Sequence, residues 1–132
     1  MMRPWLAGFF DGEGSVGLYK MSGCHRGYEM RAQITQLCSP IVDRLFNQIH
    51  LEYGGNLYLR GDTPSTRRWR PTWHYTVTSM RAHFFLQTIR PWLLLKATQA
   101  DHAMHAVILQ QEGGHEAEIE AIALCLRAMK RS

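Results

Sequence analysis

Two acidic residues lie between glycines near the start of the chain, in the stretch LAGFFDGEG at residues 6–14. A proline before this stretch and glycines at its end predict a short helix over Pro4 to Gly12. Asp11 and Glu13 then lie at the helix C-terminus, where the helix dipole already places partial negative charge. A cation would relieve this repulsion, and Mg²⁺ takes carboxylate and carbonyl oxygens while borrowing substrate phosphate. The alternative is an ordinary glycine-terminated helix with solvated acids.

The glycines of this stretch also favour helix pairing. Gly8 and Gly12 are four residues apart and therefore share one helical face. Because neither residue has a side chain, another backbone can approach this face closely. The stretch thus combines a candidate metal site with a candidate helix contact.

Hydrophobic periodicity indicates the elements that must position this stretch. Alternation of apolar and polar residues predicts four strands, at residues 15–21, 28–36, 56–60 and 72–78. Helical periodicity after the first hairpin predicts further helices, at residues 39–53, 79–89, 93–111 and 115–131. Ser39 and Ser79 are the candidate N-caps of the first two of these helices. Arg90-Pro91 interrupts the third helix of the chain, and Gly113-Gly114 separates the last two.

The order of elements is therefore αββαββα with extra C-terminal helices. It predicts a single α+β domain over residues 1–132, with the helix at 115–131 appended. We expect a four-stranded, antiparallel, saddle-like sheet with helices on one face and the other face open.

Composition narrows the class of protein. The chain has 132 residues and a net charge of +4, and residues 1–100 carry 12 basic against 6 acidic groups. This surplus favours a polyanionic partner such as nucleic acid. The three cysteines form no CxxC pair, and no long apolar run or complete signal peptide is present. We expect an intracellular protein of the cytoplasm or an organelle matrix, which is not secreted and has no membrane partner.

The stretch at residues 6–14 resembles the nine-residue motif that names the LAGLIDADG homing endonucleases. It differs from that motif at Phe9, Phe10, Gly12 and Glu13, while the αββαββα order is similar to the family's fold over nearly the whole chain. The resemblance implies that the motif helix packs against its counterpart, with Leu6, Gly8 and Gly12 as contacts. It also implies that Glu13 binds the catalytic metal, with the Gly12 carbonyl as a further ligand and Asp11 as an additional candidate.

Two other segments resemble active-site segments of the single-motif members of this family. The sequence QITQ at residues 33–36 resembles the strand end that brings a polar residue near the metals, which nominates Gln36. The sequence PWLLLK at residues 91–96 resembles the segment whose lysine completes the active site, which nominates Lys96. The alternatives are a solvent-facing glutamine and a lysine at a helix start.

The pleat of the predicted strands supplies candidate DNA contacts. If Val16 and Leu18 face the core, the alternate residues share the open face, where a twisted pair of strands can read bases in the major groove. These predicted base-reading residues are Gly17, Tyr19, Met21, Glu29, Arg31, Gln33, Asn56, Tyr58, Arg60, His74 and Thr76. The loop residues Arg67, Arg68 and Arg70 are expected to contact phosphates. The register of the fourth strand is the weakest point, because a slip of one residue exchanges its faces.

Together with these residues, the resemblance implies a sequence-specific endonuclease that cuts double-stranded DNA with Mg²⁺, for which Mn²⁺ is an expected substitute. One chain supplies one motif, so cutting both strands requires a homodimer on a near-palindromic site. The resemblance also implies an intron-encoded protein of a mobile element and cuts that leave 3′ overhangs. Two alternatives remain open: a maturase-like RNA-binding protein that assists intron splicing, and a regulator that binds DNA without cutting it.

Overall fold

The structure is a computed structural model that describes residues 2–21, 27–61 and 71–131. These residues form five α-helices, four β-strands and one short 3₁₀ turn. In chain order they are α1 (Arg3–Glu13), β1 (Gly14–Lys20), β2 (Tyr28–Leu37), α2 (Pro40–Tyr53), β3 (Asn56–Arg60), β4 (Thr72–Thr78), α3 (Ser79–Ile89), the 3₁₀ turn (Arg90–Trp92), α4 (Ala97–Glu112) and α5 (Glu116–Arg131). The predicted α+β order is confirmed.

The four strands form one antiparallel sheet in the order β1-β2-β4-β3. Gly14 pairs with Ile34 at the start of β1, and Asn56 pairs with Thr76 at the start of β3. Residues paired across antiparallel strands point to the same side of the sheet. The register therefore defines which side chains line each face.

One face of the sheet carries the hydrophobic core. Buried residues alternate along the strands, as predicted, and include Val16, Ala32, Ile34, Tyr75 and Val77. Buried side chains of all five helices belong to the same cluster: among them are Phe10, Phe46, Phe85, Ala103 and Leu126. The opposite face carries mostly polar side chains that are half-buried or exposed. The sheet is thus open on one side, as expected.

None of the helices in the described residues is both long and apolar enough to cross a membrane.

The helix starts test the predicted caps. The Ser39 hydroxyl accepts a hydrogen bond from the Val42 N–H at 3.2 Å, so Ser39 caps α2 as predicted. The prediction for Ser79 was wrong. It is the first residue of α3 rather than its cap, and its φ of 51° places a residue other than glycine in the left-handed region.

Candidate active site and nucleic-acid interface

Glu13 is the last residue of α1 and its side chain is exposed. The chain passes from α1 into β1 without a loop, because Gly14 fits beside the ring of Phe10. A Cβ at Gly14 would lie only 2.3 Å from that ring. The Gly14 N–H also donates to the Phe10 carbonyl oxygen and so satisfies one acceptor of the last helical turn. The backbone that carries Glu13 is therefore fixed at the junction between helix and sheet.

Asp11 has a different environment from Glu13. It is buried, and its carboxylate accepts hydrogen bonds from the N–H of Leu94 at 2.7 Å and from the N–H of Lys96 at 2.9 Å. Both oxygens therefore bind the backbone of the segment before α4. This arrangement favours the role of an anchor for residues 94–96 over the candidate role of a metal ligand.

Lys96 lies at the same helix end. Its side-chain Nζ donates to the carbonyl oxygen of Asp11 at 2.5 Å, and the residue is half-buried. The ammonium group is thus held at the C-terminal turn of α1, which is the turn that carries Glu13. A cation there also complements the negative end of the helix dipole.

Gln36 reaches this region through strand register. Ile34 of β2 pairs with Gly14, the residue after Glu13, so Gln36 lies two residues beyond that pair at the same end of the sheet. Its side-chain Oε1 accepts from the N–H of Leu37 at 2.9 Å. The structure therefore places Gln36 at the end of the sheet where α1 meets β1, with its side-chain oxygen bonded to the neighbouring backbone N–H.

The oxygen donors at this helix end fit part of a magnesium site. The exposed Glu13 carboxylate and the backbone carbonyl of Gly12 lie in the last turn of α1, where carbonyl groups lack helical partners. Within residues 2–21, 27–61 and 71–131, no cluster of three or more His, Cys, Asp or Glu side chains could hold a metal ion. The donors present are thus one carboxylate and backbone carbonyl oxygens, which are ligand types that Mg²⁺ accepts.

The glycine face of α1 is open. Gly8 and Gly12 are exposed, and an added Cβ at either position would meet no atom within 4 Å. Leu6 is different: it has no accessible surface and packs in the core of its own chain. The prediction of Leu6 as an interface residue was therefore wrong, because its side chain points away from the glycine face.

Large apolar side chains lie near the glycine face. Trp5 is 45% exposed and stands one helical turn before Gly8, while Leu94 and Leu95 are 84% and 77% exposed in the segment anchored by Asp11. Clustered exposure of this kind marks interaction surfaces in soluble proteins. We call Trp5, Gly8, Gly12, Leu94 and Leu95 the α1 face.

The open face of the sheet holds most of the predicted base-reading residues. Rows of paired residues cross it: Ser15, Gln33, Thr76 and Asn56 form one row, and Thr35, His74 and Tyr58 form another. The least certain register is thereby confirmed, because His74 and Thr76 lie beside Tyr58 and Asn56 while Tyr75 and Val77 are buried. Arg67, Arg68 and Arg70 lie outside the described residues.

Two members of the open face depart from expectation. Gly17 is buried rather than accessible, because the side chain of Lys130 lies over it: an added Cβ would be 2.7 Å from the Lys130 Nζ. Met21 lies one residue beyond β1, and its N–H donates to the Gly27 carbonyl at 2.9 Å. Gly17 therefore leaves room for the Lys130 side chain and is not itself accessible to a ligand.

The rings of Tyr58 and His74 stack on this face, with centroids 5.0 Å apart and planes inclined by 10°. Partial burial lowers the pKa of His74, and the positive charge of Arg60 lowers it further. The lowered pKa favours the neutral imidazole. It offers one donor and one acceptor to a ligand rather than a charge.

Two cationic residues of this surface were missed by the sequence analysis. Lys130 of α5 reaches Tyr19, and Arg81 of α3 borders an open groove of about 550 Å³ together with residues of β2, β3 and β4. Helical periodicity could not identify either residue, because their positions depend on how α5 and α3 pack at the sheet margins.

No protein-family model matches the chain, and none of the curated proteins compared with it is a match. Several solved structures share its fold. The homing endonuclease I-CvuI, in complex with the I-CreI target, has a TM-score of 0.76 and 17% identity over 96% of this chain and 80% of that chain. The archaeal intron-encoded homing endonuclease I-Vdi141I, complexed with DNA, has a TM-score of 0.73 and 16% identity over 96% and 82%. The LAGLIDADG homing endonuclease I-SmaMI, bound to cleaved DNA, has a TM-score of 0.66 and 22% identity over 92% and 42%.

Proposed function

We propose that this chain, which has the fold of the LAGLIDADG homing endonucleases, is a sequence-specific, metal-dependent DNA endonuclease. The observation that carries the proposal is the bond from the Lys96 Nζ to the Asp11 carbonyl. It joins a lysine to the turn that ends in the exposed carboxylate of Glu13, across more than 80 residues of sequence. The bond thereby brings a cation and an exposed carboxylate to one helix end.

The open sheet face supports DNA as the substrate. It combines Arg31, Gln33 and Asn56, whose side chains can form paired hydrogen bonds with base edges. The three neighbours reported above are homing endonucleases described with a DNA target, DNA and cleaved DNA, respectively. The surplus of basic residues within residues 1–100 would attract the phosphate backbone.

A homodimer follows from the number of sites. One chain carries one Glu13 and one Lys96, and hydrolysis of both strands of a duplex needs two such sites. The exposed α1 face supplies a surface on which a second copy could pack closely. One copy also matches only 42% of the I-SmaMI chain, so two copies correspond better to that protein's size. A symmetric pair would select a near-palindromic target.

In this proposal Glu13 and the Gly12 carbonyl would hold Mg²⁺, or Mn²⁺ in its place. The bound ion would supply a Lewis acid for the phosphate and lower the pKa of water. Lys96 places a positive charge beside the position where the phosphate would develop additional negative charge. Gln36 contributes a polar side chain at the same end of the sheet and would orient water or phosphate.

The proposal is tested by incubating the purified chain with a randomised duplex library and Mg²⁺, followed by sequencing of the new ends. We expect cuts at one family of near-palindromic sites, with 3′ overhangs, and no cuts when EDTA replaces the metal. Enrichment of a bound sequence that is never cut, in either Mg²⁺ or Mn²⁺, would instead identify a DNA-binding regulator. Selective retention of structured RNA without DNA enrichment would favour the maturase-like alternative.

A further inference from the structure

Arg31 is held from two directions on the open face. Its Nε donates to the Glu29 Oε1 at 2.7 Å, and its guanidinium carbon lies 4.7 Å from the centre of the Tyr19 ring. The strand register produces this arrangement, because Tyr19 pairs directly with Glu29 and Gly17 pairs directly with Arg31. Gly17 has no side chain, and the space above it is occupied by the side chain of Lys130.

Lys130 belongs to the same cluster. Its Nζ lies 5.3 Å from the centre of the Tyr19 ring and 3.4 Å from the Tyr19 hydroxyl. A cation near an aromatic ring is attracted by the electron-rich face. Tyr19 thus has two cations close to it, and Glu29 neutralises only one of them. The cluster keeps a net positive charge although it contains a carboxylate.

The ion pair is partly buried. The Glu29 side chain is 24% exposed and the Arg31 side chain is 36% exposed. Both residues border the open groove of the sheet, next to Gln33 and Thr76. An ordered arginine loses less conformational entropy when it binds a ligand than a free one does. The pair therefore has the properties of a preorganised recognition group.

We propose that Arg31 reads a guanine in each half of the DNA target, and that Glu29 and Tyr19 are positioning residues rather than base readers. This inference rests on the proposed function. The bond to Glu29 uses Nε and leaves the two Nη groups, whose parallel N–H donors match the O6 and N7 acceptors of guanine. Tyr19 supports the plane of the guanidinium from β1.

The chemistry favours a base over a phosphate as the partner of Arg31. Glu29 lies 2.7 Å from Arg31 and offsets part of its positive charge, which weakens the attraction of this guanidinium for a phosphate. A carboxylate beside a phosphate would also be repelled. Guanine, in contrast, presents neutral acceptors in a fixed geometry, for which a clamped guanidinium is suited.

The test is selection of bound duplexes from a randomised library in Ca²⁺, which separates binding from cutting. The natural protein is expected to enrich a site with one strongly preferred guanine per half. Arg31→Ala and Arg31→Lys should lower the preference for that guanine by about 5- to 150-fold and leave the other positions unchanged. The lysine variant keeps the charge, so its affinity for duplexes that lack the preferred site should stay close to that of the natural protein.

The positioning roles of Glu29 and Tyr19 are tested by the guanine preference of separate variants. Glu29→Gln and Tyr19→Leu should weaken the same guanine preference, whereas Tyr19→Phe keeps the ring and should retain it. Arg44→Ala is the matched control, because Arg44 is exposed on α2, outside the open face. It removes one positive charge and should change no base preference.

Two results would overturn the inference while leaving the proposed function intact. One is an Arg31→Ala protein that selects the same site as the natural protein. The other is a Glu29→Gln protein whose guanine preference is unchanged. If the natural protein enriches no sequence at all, the proposed function itself fails, and the inference fails with it.

Discussion

The side-chain amine of Lys96 donates a hydrogen bond to the backbone carbonyl of Asp11, while the carboxylate of Asp11 accepts one from the backbone N–H of Lys96. These reciprocal bonds lock the end of α1 to the segment that precedes α4. They fix an ammonium group beside the exposed Glu13 before any DNA is bound. Such preorganisation removes the need to rearrange the site when the substrate arrives.

Replacement of Lys96 should separate catalysis from recognition. Lys96→Met keeps the unbranched side chain, one atom shorter, but removes its charge from the reacting phosphate, so cleavage should slow by about 10²-fold. The preferred site should not change, because Lys96 contacts no base in this account. Lys96→Arg retains the charge and should cut faster than Lys96→Met. Single-turnover cleavage of a target duplex measures the rates, and equal rates for Lys96→Met and the natural protein would contradict the role.

Asp11→Ala should destabilise the protomer. It removes the acceptor of two backbone N–H groups, those of Leu94 and Lys96, and an unsatisfied buried donor costs about 1–3 kcal/mol. Urea denaturation should show a lower free energy of unfolding. Asp101→Ala is the control, since Asp101 forms an exposed pair with Arg90 and should cost about 0–1 kcal/mol. Equal losses for the two variants would show that Asp11 does not anchor the segment.

Gly8→Leu should abolish the dimer without unfolding the protomer. An added side chain at Gly8 meets no atom of its own chain within 4 Å, and leucine favours a helix over glycine by roughly 1 kcal/mol. The thermal midpoint of the protomer should therefore be unchanged or higher, while sedimentation should show monomers and cleavage should disappear. Gln48→Leu, an exposed position on α2, controls for an added surface leucine. A natural protein that sediments as a monomer even with its DNA would refute the dimer.

Arg67, Arg68 and Arg70 should act through phosphate. Their joint replacement by alanine should weaken binding to every duplex alike and reduce the dependence of log K on log salt by about 0.9 for each lost contact. Gel-shift titrations at several salt concentrations measure both effects. A change in the preferred bases would show instead that these arginines read sequence.

The alternating strands were the most predictable part of the fold. β3 and β4 have the predicted bounds, Asn56–Arg60 and Thr72–Thr78, because each alternates between one apolar and one polar face. The α4 start was less predictable. A helix was expected from Leu93, but α4 begins at Ala97, because Asp11 holds the backbone N–H groups of the preceding segment. Local periodicity contains no information about an acceptor more than 80 residues away.

The candidate site shows the same limit. The resemblance nominated Glu13 and Lys96. In the structure Glu13 is an exposed acid at the end of α1, and Lys96 is bonded to the same helix end. The resemblance also assigned Leu6 to the interface, although Leu6 lies on the face of α1 that packs into the core. Gly17 was placed on the correct strand face, but the pleat could not reveal that Lys130, 113 residues later, covers it. Alternation along a strand predicts which face of the sheet a residue occupies. It does not predict which distant side chains pack over that face.

The central claim is that Glu13 is a catalytic metal ligand rather than part of a scaffold. Its most direct test compares the natural protein with Glu13→Gln, which removes one negative charge and a strong metal ligand from an exposed position. Cleavage of a target plasmid is measured in Mg²⁺, and affinity for the same site is measured by gel shift in Ca²⁺. We predict that Glu13→Gln neither nicks nor cuts the plasmid, yet binds the site as tightly as the natural protein or slightly more tightly. A Glu13→Gln protein that cuts at the natural rate would contradict the assignment of this chain as an endonuclease of this type.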